Sequence, residues 1–79
     1  MPRQIWHIAK DIRDHWPKMS PYAEPYVKAM FGLSTIHDWY FADTADDIII
    51  RFLCNAQTWR GPDARRIKAE LKQLLKEKP

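Results

Sequence analysis

The sequence is short of the links that often stabilise small proteins. It has one cysteine, Cys54, in 79 residues, so no intrachain disulfide can form, and its three histidines make no Cys/His cluster with the spacing of structural zinc. Nothing near Cys54 in sequence would lower its pKa, so it reads as a small buried apolar residue in a reducing, cytoplasmic setting. Only two glycines are present, and no Gly-rich phosphate loop can be assembled from them. No apolar run approaches the roughly 20 residues of a membrane span, and the N-terminus lacks the apolar core of a signal peptide, so a soluble chain is expected. Ser/His/Asp and Cys/His arrangements are missing as well. The expectation is a non-catalytic protein with no cofactor and no bound metal.

What is present is helical periodicity. Ala45, Ile48, Ile49, Phe52, Leu53 and Ala56 recur at three- and four-residue steps, and Ile50 and Cys54 widen that stripe, which predicts a helix covered on more than one side. After Gly61 and Pro62, a second period of Ala64, Ile67, Leu71, Leu74 and Leu75 alternates with Arg65, Arg66, Lys68, Lys72 and Lys76, an amphipathic basic helix. Ile5, Ile8, Ala9 and Ile12, with Trp6 and Trp16 beside them, mark a helix that Pro17 ends. Tyr22, Tyr26, Ala29, Met30 and Leu33 mark another, entered through Ser20 and Pro21 and complicated at its start by Pro25. The predicted fold is all-α, one domain over residues 1–79, a compact bundle of four short helices near 3–15, 21–33, 44–59 and 62–76, the third most buried. Residues 34–43 form its chief loop.

Charge is placed unevenly. The formal net charge is +3, and all of the excess falls after residue 61, since residues 1–61 hold seven basic and seven acidic side chains. The segment Asn55-Ala56-Gln57-Thr58-Trp59-Arg60-Gly61-Pro62-Asp63-Ala64-Arg65-Arg66 is the most informative. Gly61 suits a helix stop and Pro62 a helix start, so two helices meet at a corner. A helix start offers unpaired N–H groups and a partial positive charge. With Arg60, Arg65 and Arg66 around it and Trp59 as a flat ring, the corner is a candidate phosphate or nucleotide site. The alternative is a plain inter-helix corner with a core tryptophan and solvated arginines. His7, Asp11 and His15 share one helix flank at four-residue steps and read as a solvated polar flank rather than metal ligands. The acidic side chains around residues 38–47 read as helix caps and dipole partners.

Four Trp, three Tyr and three Phe are many for a core this small, because a chain of this length buries only about 60% of its unfolded surface. Trp39, Tyr40 and Phe41 are therefore candidates for an interface, either with another copy in a dimer or ring, or with a partner protein. Tyr40 of a neighbour is a candidate lid over the corner.

The patterns Ile5-Trp6-x-Ile8-Ala9-x-x-Ile12-Arg13-x-x-Trp16, Tyr22-Ala23-x-Pro25-Tyr26-x-x-Ala29-Met30 and Asn55-Ala56-x-Thr58-Trp59-Arg60-Gly61-x-x-Ala64-Arg65-x-Ile67-Lys68-x-Glu70-Leu71 resemble a group of short helical proteins carried by phages and prophages. The likeness covers nearly the whole chain. It implies a setting in a bacterial host cell and no chemistry, because that group carries no assigned activity or functional residues. Small phage accessory proteins commonly inhibit host enzymes, blunt host defence or adjust gene expression. The expected function is thus binding and inhibition or sequestration of a host factor, either a host protein or a phosphorylated small-molecule signal. The alternative is a small DNA- or RNA-binding regulator, drawn from the corner and the basic helix as a helix-turn-helix.

Overall fold

The computed structural model describes residues 3–77. Four helices form: α1 (Ile5–His15), α2 (Glu24–Met30), α3 (Ala45–Asn55) and α4 (Pro62–Glu77). Between α2 and α3 lies a two-stranded antiparallel sheet of β1 (Trp39–Tyr40) and β2 (Asp43–Thr44), with Trp39 opposite Thr44 and Tyr40 opposite Asp43. The expectation of a purely helical fold is corrected by this hairpin. Strands of two residues are too short to show a period of two, so the sequence pattern gave no sign of them.

The helices begin and end where backbone hydrogen bonds can be satisfied. The first N–H groups of a helix have no partner inside it. In α1 the N–H of Ile5 donates to the carbonyl of Ser34 at 2.9 Å and that of Trp6 to Leu33 at 3.0 Å. These bonds fix the start of α1 against the chain leaving α2. Helix α2 is shorter than the expected 21–33. Ser20 does act at its entry, its Oγ accepting from the N–H of Tyr22 at 3.2 Å, but Pro25 has no N–H to give to the carbonyl four residues back. Residues 21–23 therefore form a separate turn before the helix proper, and Tyr22 is exposed. Thr44 caps α3, its Oγ1 accepting from the N–H of Asp47 at 3.4 Å, while Asp46 and Asp47 sit at the positive end of the helix dipole.

Helix α3 stops at Asn55 rather than at residue 59. The Asn55 side chain donates to the carbonyl of Arg51 at 2.8 Å, and the N–H of Ala56 tightens to Leu53 instead of Phe52. The released segment turns Trp59 inward.

In the packed structure α2 lies against both α1 and α3, and α4 lies across α1. Its radius of gyration is 11.3 Å, against about 11.6 Å for a collapsed domain of this length. The expected burial order is also corrected. Helix α1 buries Ile5, Ile8, Ala9 and Ile12 as deeply as α3 buries Ala45, Ile48, Ile49 and Phe52. Helix α3 is not covered all round: Ile50 and Cys54, four residues apart, share an outer face that the other described residues leave exposed, so Cys54 is exposed rather than buried.

Phe52 is fully buried and meets Trp16 edge-on, with centroids 6.3 Å apart at 79°. Phe52→Ala is expected to lower stability by about 3–5 kcal/mol, most of what a domain of this size has. A thermal midpoint equal to wild type would remove Phe52 from the core.

Candidate anion-binding corner

The corner is built by the chain leaving α3. Ala56 and Trp59 turn back on themselves, with the N–H of Trp59 donating to Ala56 at 3.1 Å. Gly61 then takes φ of 114° with open space where a Cβ would stand, a backbone that other residues enter only under strain. The helical ladder of α4 starts when the N–H of Arg65 reaches Gly61 at 3.0 Å. Over this corner lies a cavity of about 320 Å³, bordered by Gln57, Trp59, Arg60, Gly61, Arg65 and Lys68, with Ala64 at its wall. Among the described residues no carboxylate borders it.

Of the residues expected at the site, the structure brings together Trp59, Arg60, Gly61 and Arg65. It places Trp59 differently from its expected role. The indole is 5% exposed and stacks on Trp16, with centroids 5.1 Å apart and planes 6° from parallel. One face of the ring is thus covered by the core, and the platform offered to a base is taken. Tyr40 does not border the cavity of its own chain. Its ring lies over Gly32, where an added Cβ would come within 3.1 Å of it.

Arg66 points away from the corner. Its guanidinium donates to Asp11 from Nη1 and Nη2, at 2.8 and 3.3 Å, and from Nη2 to Asp63 at 3.1 Å. Arg3 joins from the start of α1, bonding Asp11 at 3.0 Å and both oxygens of Glu70 at 2.6 and 2.8 Å. His15 contacts Asp11 at 2.8 Å. Asp11 is therefore the centre of a clamp between α1 and α4. Hydrogen bonds from Arg66, then from Arg3, hold its carboxyl down at about 2, and the same bonds raise Arg66. Asp11 and His15, considered above as part of a polar flank, are committed to this network. Among the described residues no group of three His, Cys, Asp or Glu side chains is placed to hold a metal.

Lys68 is the charged cavity residue that sequence reasoning missed, beside Gln57 and Ala64. Its Nζ donates to the carbonyl of Trp59 at 2.7 Å, closing the turn. Partial burial lowers its pKa, and the charges of Lys72 and Arg60 lower it further. The signal was present: Lys68 stands one helical turn after Arg65, on the face that begins at Gly61. A second cavity, of about 260 Å³, lies between Arg3, Ile5, Ile36 and Leu74. Its walls come from opposite ends of the chain, and no local pattern could have announced it.

Comparison with protein families, with curated proteins and with solved structures finds no match to this chain.

The clamp makes stability depend on pH. Because the folded pKa of Asp11 lies below its ordinary value of 3.8, the contribution is complete above about pH 4 and lost as pH falls towards 2. Partly exposed arginines discount the gain, so Asp11→Asn is expected to cost about 1–2 kcal/mol at neutral pH. The gap between the two denaturation curves should close on acidification from pH 4 to pH 2. A gap that is constant over that range would show that the Asp11 charge is not the cause.

Proposed function

We propose that the chain is a non-catalytic binding protein that captures a phosphorylated small molecule at the corner between α3 and α4. The supporting observation is uncompensated charge. Arg60, Arg65 and Lys68 border one cavity that no acidic side chain among the described residues lines, whereas Arg3 and Arg66, on the other side of α4, are paired with Asp11, Asp63 and Glu70. Like charges left together near the surface destabilise one another until an anion joins them. A phosphate suits the set, because guanidinium groups bond its oxygens in pairs and Lys68 keeps two donors beyond the one given to Trp59. The N-terminal end of α4 adds its partial positive charge.

In the phage or prophage setting that the resemblance implies, the protein sequesters a nucleotide signal used by a bacterial host in antiphage defence, and acts in the host cytoplasm. Among the described residues no helix is long and apolar enough to cross a membrane. A nucleic-acid regulator draws on the same cations with less to offer: Ala64, Ile67, Leu71 and Leu74 are buried, and Arg66 is held by Asp11.

Charge-assisted hydrogen bonds contribute about 1.5–3 kcal/mol each before the costs of association. Micromolar binding, about −8 kcal/mol, is the expected range. Calorimetric titration with linear and cyclic nucleotides should show it for wild type, with affinity at least about tenfold lower for Arg65→Glu. If no nucleotide gives heat and a DNA duplex binds with steep salt dependence, the regulator takes its place. If neither binds, the corner is structural only.

A further inference from the structure

The hairpin before α3 carries two costs that the fold alone does not explain. Phe41, the first of the two residues joining β1 to β2, has φ of 56°, a left-handed conformation that suits glycine or asparagine far better than a bulky ring. That ring is 88% exposed, and Trp39 nearby is 65% exposed. The platform is nonetheless held in place. Tyr40 lies over Gly32 and meets Phe41 edge-on, with centroids 4.7 Å apart at 77°. Asp38 fixes the approach, its carboxylate accepting from Ser34 and Thr35 and its carbonyl from the N–H of Ala45. An exposed aromatic pair on a fixed, strained turn is a feature to be explained by what it touches.

Charge narrows the choice of partner. Asp43 stands opposite Tyr40 in the hairpin and Asp47 lies in the first turn of α3 that follows it, and neither has a salt bridge among the described residues. The complementary surface in the same molecule is the basic corner, which has cations and no free aromatic face, since Trp59 is stacked on Trp16. Helix α3 runs between them, with the hairpin at its start and the corner beyond its end. Its 11 residues separate the two by about 16 Å at 1.5 Å per residue, and no hairpin ring borders its own cavity.

We propose that the hairpin of a second copy closes over the corner, its Trp39 and Phe41 supplying the face on which the base of a bound nucleotide stacks while its Asp43 and Asp47 meet the cationic rim. This rests on the corner's binding of phosphate. The contact joins two different surfaces, so each copy offers a hairpin at one end and a corner at the other, and closed assemblies are rings.

The test uses ATP and inorganic tripolyphosphate as probes, with calorimetry for affinity and sedimentation for mass. Phe41→Ser is expected to bind ATP about tenfold more weakly than wild type and tripolyphosphate equally well, since only the base needs the ring. Its side chain lies outside the core, and circular dichroism checks the fold. With ATP, wild type should exceed the monomer mass while Phe41→Ser and Arg65→Glu alone do not. Mixed together, those two variants should form a one-to-one dimer, because one keeps an intact corner and the other an intact hairpin. A mixture that stays monomeric, or a Phe41→Ser variant that binds ATP as tightly as wild type, overturns the proposal alone. Wild type that binds neither probe overturns the phosphate site and the proposal with it.

Discussion

The stack of Trp16 on Trp59, with Phe52 edge-on to Trp16, is the contact on which the rest of the structure depends. It joins the residue that ends α1 to the residue that ends the turn after α3, two points 43 positions apart in sequence. Such ring pairs combine large apolar burial with a preferred geometry, so they fix position as well as contributing stability. With Trp59 drawn inward, Gly61 turns the chain and α4 starts at Pro62. The corner's shape follows from a core contact.

Helix α4 divides its cations between two tasks. On the side facing α1, Arg66 and the incoming Arg3 share Asp11, and Arg3 also takes Glu70 with both oxygens. Exposed ion pairs contribute little singly, but a half-buried carboxylate shared by two guanidinium groups orients both helices. On the side facing the corner, Arg60, Arg65 and Lys68 have no such partner among the described residues. The charges are thus paired where α4 meets α1 and left unpaired, among the described residues, at the corner, a difference that the net charge of the chain conceals.

The hairpin shows how a short element is held without a core of its own. Two paired residues per strand cannot hold themselves together. Here Asp38 gathers the N–H groups of Ser34 and Thr35, and its carboxyl stays below the usual range because of those bonds. Its carbonyl takes the first N–H of α3, and Tyr40 closes over Gly32. These supports lie outside the strands, which is why Phe41 can keep a backbone conformation that its side chain disfavours.

The helices were legible in the sequence because their apolar residues repeat with the period of the element that buries them. Ile5, Ile8 and Ile12, Ile48 and Phe52, and Ile67, Leu71 and Leu74 all face inward as that period requires. The corner was legible too, since Gly61 and Pro62 act through local backbone geometry. Partner choice was not. Nothing in the local pattern says that Arg66 turns to Asp11, 55 positions away, while Arg65 beside it turns to the corner, or that Trp59 meets Trp16 instead of solvent. Nor could periodicity foresee that Ile50 and Cys54 would be left uncovered, because coverage depends on what packs against a face and not on the face itself. Local chemistry decided which segments coil and where they break. The contacts between distant segments, which no short-range pattern encodes, decided which charges are neutralised and which remain available.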